Sequence, residues 1–153
     1  MIRRRQFIVG LGSAAAWPVA ATLDASAQKV ETRVLRLPQD ITFTGPGTVQ
    51  TTVLYGDPKR PGMYVYRAKL ALGSKNVPHW HPEERTVVIL SGTLYYGLGE
   101  LWDESKLIAF PAGTFFSEPP KLPHFAWAKD CDVILQVTGT GPTGTTQITP
   151  PTP

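Results

Sequence analysis

Glycine and proline interrupt this chain at intervals too short for helices of ordinary length. It carries 14 Gly and 15 Pro, clustered as Gly45-Pro46-Gly47, Gly56-Asp57-Pro58 with Pro61-Gly62, Ser91-Gly92-Thr93 and Pro111-Ala112-Gly113. Proline lacks the backbone donor a helix interior needs, and glycine pays the largest entropy cost there. The runs between these breaks are rich in β-branched and aromatic residues, which favour a pleated, half-buried surface. Strands are therefore expected at 33–37, 51–55, 63–72, 86–90, 94–98, 107–110, 114–117, 125–128 and 132–138. The segments 86–90 and 94–98 read as the two arms of a hairpin around Gly92. Only 100–106 has the pattern of a helical turn. Many short strands separated by breakers predict an all-β sandwich or barrel.

The chain has three histidines, and they fall in two segments. His79 and His81 follow the loop Gly73-Ser74-Lys75-Asn76-Val77-Pro78. His124 ends Pro119-Pro120-Lys121-Leu122-Pro123. In a strand, side chains alternate, so His79 and His81 share a face and Trp80 takes the other. Imidazole is the commonest protein ligand for transition metals. Three neutral imidazoles leave a dication's charge uncancelled and coordination positions open, as in catalytic rather than structural sites. The expected cofactor is a divalent transition metal, with Fe, Mn, Ni and Zn all open. Cys131 is the chain's single cysteine and has no partner for an internal disulfide.

These two segments resemble the motifs of the cupin superfamily. Gly73, His79, His81 and Gly92 match its first motif, and Gly113, Pro119 and His124 match its second, so the resemblance covers about residues 50–139. It implies an antiparallel, double-sheet jelly-roll barrel with a metal held in its mouth by His79, His81 and His124. It also implies a homodimer built through outer strands.

Three positions depart from the motifs. The glutamate ligand of the first falls on Arg85, and the glycine and asparagine of the second fall on Lys121 and Ala128. A local bulge could turn Glu84 inward as a fourth ligand. Alternatively the site has three histidines and open positions, or Arg85 pairs with Glu84, Glu118 or another carboxylate. Near the mouth, Arg85 could also hold a substrate carboxylate. The aromatics, including Tyr66, Tyr96, Phe116 and Phe125, read mainly as barrel core.

Residues 1–27 read as a cleaved export signal. Arg3, Arg4 and Arg5 precede an apolar, Ala-rich run over 9–21, and Ala25-Ser26-Ala27 is a small-residue cleavage site. Arg4-Arg5-Gln6-Phe7-Ile8 resembles a twin-arginine signal, although a general secretory signal also opens on positive charge. The run is too short and too rich in Gly and Ala for a membrane span. A periplasmic or secreted barrel over 28–139 is expected, free of the membrane after cleavage. A Thr/Pro/Gly-rich tail over 140–153 packs along the barrel, caps it or reaches a partner.

The formal charge of +3 includes the three signal arginines and Asp24, so the mature domain is nearly neutral. That gives no electrostatic case for nucleic acid or an anionic membrane. The expected partner is a small molecule. Two functions fit the sequence: a metal-dependent small-molecule enzyme, with an oxygenase or related oxidoreductase foremost, and a non-catalytic metal- or ligand-binding module. A degenerate barrel without metal is weaker, because all three histidines are present.

Overall fold

The computed structural model describes residues 33–149. The expected signal at 1–27 lies outside them. Ten strands follow in order: β1 (Val49–Tyr55), β2 (Gly62–Leu70), β3 (Lys75–Trp80), β4 (Arg85–Ser91), β5 (Thr93–Leu98), β6 (Ile108–Pro111), β7 (Phe115–Glu118), β8 (His124–Trp127), β9 (Val133–Gly141) and β10 (Thr146–Gln147). They form two five-stranded antiparallel sheets, ordered β1-β2-β9-β4-β7 and β10-β3-β8-β5-β6. This is the expected all-β, double-sheet jelly-roll architecture.

Period-two alternation decides which residues face inward. On β4, Arg85, Val87 and Ile89 are buried, and on β9 so are Val133, Leu135 and Val137. The register sets Val87 against Val137 and Ile89 against Leu135. Leu94 on β5 and Ala68 and Leu70 on β2 complete this apolar layer. Several inward rows change character along their length. On β4 the row runs Arg85, Val87, Ile89, and on β8 it runs from His124 to Ala126. One end of the barrel interior is therefore polar and the rest is apolar.

Three expectations fail. Residues 33–37 form no strand, and a 3-10 turn at Pro38–Asp40 follows them. Pro38 supplies the fixed φ for that turn and no donor for a ladder. Second, β4 and β5 are not a hairpin. They lie in different sheets, β4 beside β9 and β7, β5 beside β6 and β8. Gly92, at φ 77°, turns the chain across the barrel edge. Third, 75–78 is not loop but most of β3. Its register shifts between Asn76 and His79, where Pro78 offers no ladder donor.

Within the described residues, the segment expected as tail joins the two sheets. β9 runs on through Gly141, past the expected boundary at 139, and β10 pairs with β3, setting Thr146 against Trp80 and Gln147 against His79.

The corner at Gly92 gives a direct check on this topology. A Cβ there would overlap the Asp132 carbonyl, and an L residue at that φ carries about 1–2 kcal/mol of strain. Gly92→Ala is expected to lower stability by at least about 2 kcal/mol, read as a fall in the urea midpoint. A midpoint unchanged in the variant would contradict this corner.

Candidate metal centre

The three histidines converge in the polar end of the barrel. β3 and β8 are neighbours, and their register places His79 directly opposite His124. Their ring centroids are 4.3 Å apart, with His81 at 5.0 Å from His79 and 5.3 Å from His124. All three residues are buried, and one nitrogen from each falls within 4.8 Å of the others.

Backbone carbonyls fix which nitrogen faces the centre. Nδ1 of His79 donates to Val77 O at 2.7 Å, Nδ1 of His124 to Leu122 O at 2.9 Å, and Nδ1 of His81 to Gly144 O at 2.6 Å. A carbonyl only accepts, so each Nδ1 carries the proton and each Nε2 keeps a lone pair. Burial lowers all three histidine pKa values, that of His81 to about 4, and so holds the rings neutral. Neutral, oriented imidazoles are the form a metal requires.

Two further observations fit a cation at this point. Nε2 of His81 is buried without a hydrogen-bond partner. Nε2 of His124 lies 3.4 Å from Oε1 of Glu118, so two lone-pair-bearing atoms face each other. A divalent transition metal ion satisfies the first and offsets the second.

Arg85 and Glu118 stand beside the histidines. They are direct cross-strand partners on β4 and β7, and Nε of Arg85 donates to Oε2 of Glu118 at 2.5 Å. Nη1 of Arg85 donates to the Tyr66 hydroxyl at 3.2 Å. Burial pushes the Glu118 carboxyl up, but the Arg85 guanidinium paired with it outweighs burial, and its pKa is lowered. Glu118 is therefore an anion, and its Oε1 faces the histidines. The Tyr96 hydroxyl is buried without a partner, and burial with the Glu118 charge raises its pKa, so it remains a donor.

Glu84 is not a member of this group. It is exposed and does not line the cavity. Alternation explains why: β4 begins with Arg85 facing inward, in register with Glu118, and no bulge reverses it. Arg85 takes the place of the motif's carboxylate and carries its own counter-ion. Lys121, at the motif's glycine, adopts φ 60°, and its N–H donates to His81 O at 2.7 Å. The backbone thus keeps the conformation that the motif's glycine would favour.

The site opens into a cavity of about 360 Å³. Its polar wall holds the histidines, Arg85, Glu118, Tyr66 and Tyr96, with Thr145 and Gln147 from the tail. Val87, Leu94, Leu135 and Val137 are among its apolar walls. Sequence reasoning assigned Tyr66 and Tyr96 to the core and did not reach Gly144, Thr145 or Gln147. It named Glu118 as a partner open to Arg85, but its place beside His124 depends on sheet order. Phe125 points away from the cavity and packs on Trp102, as alternation from His124 predicts.

No family model matches the sequence, and no curated protein matches it. Solved structures do match. A structure of KdgF from Halomonas sp. aligns at TM-score 0.55 with 16% identity, over 69% of this chain and 91% of that one. An RmlC-like cupin from Shewanella frigidimarina aligns at 0.57 with 14% identity, over 71% and 91%. The polyketide cyclase RemF from Streptomyces resistomycificus aligns at 0.58 with 14% identity, over 71% and 77%. At these identities the likeness shows the fold alone: the chain folds as a cupin-like double-sheet barrel, and three of its histidines lie close enough together that they could hold a metal ion.

Proposed function

We propose that the protein is a metal-dependent enzyme acting on a small organic anion inside the barrel. The observation that carries this is the charge arrangement around the three histidines. They contribute no charge, and Glu118 is already neutralised by Arg85. A bound dication would therefore leave the cavity with about two uncompensated positive charges, a costly state in a buried site. An anionic ligand relieves it.

The chain's own groups fit the parts of such a ligand. Arg85 Nη2 has no partner among the described hydrogen bonds and offers donors beside Tyr66. The Tyr96 hydroxyl offers another. The apolar walls suit a hydrocarbon body and exclude water, which strengthens every polar contact in the site. When bound, the metal supplies Lewis acidity toward an oxygen of water or substrate. Oε1 of Glu118, beside His124, would serve as a proton acceptor within the cavity, and Arg85 holds Glu118 in its anionic, oriented form.

Oxygen-dependent chemistry with iron is the finer form of this proposal, supported by the all-histidine donor set. RemF is a cyclase by name, and its fold likeness supports small-molecule chemistry in such a barrel. Export to the periplasm or beyond belongs to the same proposal, supported by Arg4-Arg5-Gln6-Phe7-Ile8 and Ala25-Ser26-Ala27. So does a homodimer, supported by the cupin resemblance.

Calorimetric titration of the zinc-loaded protein with small carboxylates and their matched neutral amides tests the proposal. Carboxylates with an apolar body are expected to bind at least about tenfold tighter than the amides, and only when metal is present. Equal binding of both series, or binding of neither, would contradict an organic-anion site.

A further inference from the structure

The three histidines are not held in the same way. His79 and His124 are oriented by carbonyls two residues earlier in the chain, at Val77 and Leu122. Those contacts are local in the chain. His81 follows the last residue of β3, and its ring is oriented by Gly144, 63 positions further along.

Residues 143–148 thus run as a strap across the metal end of the barrel, and little holds them there. β10 is two residues long and lies at a sheet edge. Outside that ladder, Ile148 N–H donates to Pro78 O at 2.9 Å and Thr143 N–H to Pro58 O at 2.7 Å. The Thr143 hydroxyl donates to Glu83, which also accepts from Tyr64 at 2.7 Å. Thr145 and Gln147 line the cavity. Short, edge-located segments of this kind open at lower cost than the body of a fold.

We propose that this strap is the positioning element for the third metal ligand, so that strap docking and metal binding are one coupled event. The proposal rests on the three-histidine reading. When the strap is docked, Gly144 fixes the His81 tautomer and aims Nε2 at the centre. When it lifts, the ring loses its hydrogen bond to Gly144 O and the cavity loses two of its lining residues. Linkage makes the effect reciprocal: a metal on Nε2 fixes the ring, makes Nδ1–H a stronger donor to Gly144, and so holds the strap down. Thr143 acts at one remove, by fastening the strap to Glu83.

Amide hydrogen exchange on the full chain, metal-free and loaded with cobalt(II), tests this. The Ile148 and Thr143 amides, which donate to Pro78 O and Pro58 O, are expected to slow at least about tenfold on loading, and those of β6, an edge strand at the far side of the same sheet, to change little. Thr143→Val is expected to weaken cobalt(II) affinity about tenfold and alter the visible spectrum of the bound ion, and Thr143→Ser to restore both. Cobalt(II) binding that leaves strap exchange unchanged would overturn the coupling alone. Failure of the wild-type protein to bind cobalt(II) would overturn the three-histidine reading on which it rests.

Discussion

Arg85→Met is expected to destabilise the protein by about 3–5 kcal/mol, the range for removing one partner of a buried ion pair. Arg85 is 8% exposed and Glu118 is 4% exposed, so water screens neither. Methionine fills much of the same space, and packing loss is a minor part of the effect. The larger part is the carboxylate left behind. Burial raises the pKa of Glu118, and the Arg85 guanidinium is the main charge opposing that rise. Without it, Glu118 must either stay ionised without its partner or take up a proton, and both cost free energy at neutral pH. Adding Glu118→Gln removes the stranded charge, so the double variant should recover most of the loss. Urea unfolding of the two single variants and the double variant measures the coupling directly. A single Arg85→Met variant within about 1 kcal/mol of wild type would mean that the pair is not held as a buried, charged pair.

His81→Ala is expected to remove metal binding while leaving the barrel folded. The ring packs in a polar cavity rather than in the apolar core, so its loss as packing is small beside its loss as a ligand. Its Nε2 is already a buried atom without a partner, and removing it removes that cost as well. The remaining pair, His79 and His124, leaves the site one imidazole short. Binding stabilises the native state by mass action, about 2.7 kcal/mol when free metal stands at a hundred times its dissociation constant. Wild-type protein should therefore melt higher with zinc than with chelator, and His81→Ala should melt at one temperature in both. A metal-dependent shift retained in the variant would place the ion elsewhere.

Much of the fold was legible because the evidence for it is local. Alternation and the Gly and Pro breaks placed β1, β2 and β4 to β9 with small errors at their ends. Strand partners were not legible. Ser91-Gly92-Thr93 serves a hairpin and a corner equally well, and only the insertion of β9 beside β4 decides between them. The histidines were legible from type and spacing. Glu84 was misplaced because bringing it inward required a bulge that does not form. Alternation along β4 puts Arg85 on the cavity side, where it meets Glu118, while Glu83, in the bend before β4, meets Tyr64. The strap was hidden for a different reason. Its Pro and Gly residues interrupt any strand pattern its threonines could make, and its role comes from one backbone carbonyl, which no side chain announces.

Elemental analysis of the purified protein beside His81→Ala tests the metal centre most directly. About one transition metal ion per wild-type chain, absent from the variant, is the predicted result. Equal metal in both proteins, or none in wild-type protein supplied with iron, manganese, nickel and zinc, would contradict a centre built on His79, His81 and His124.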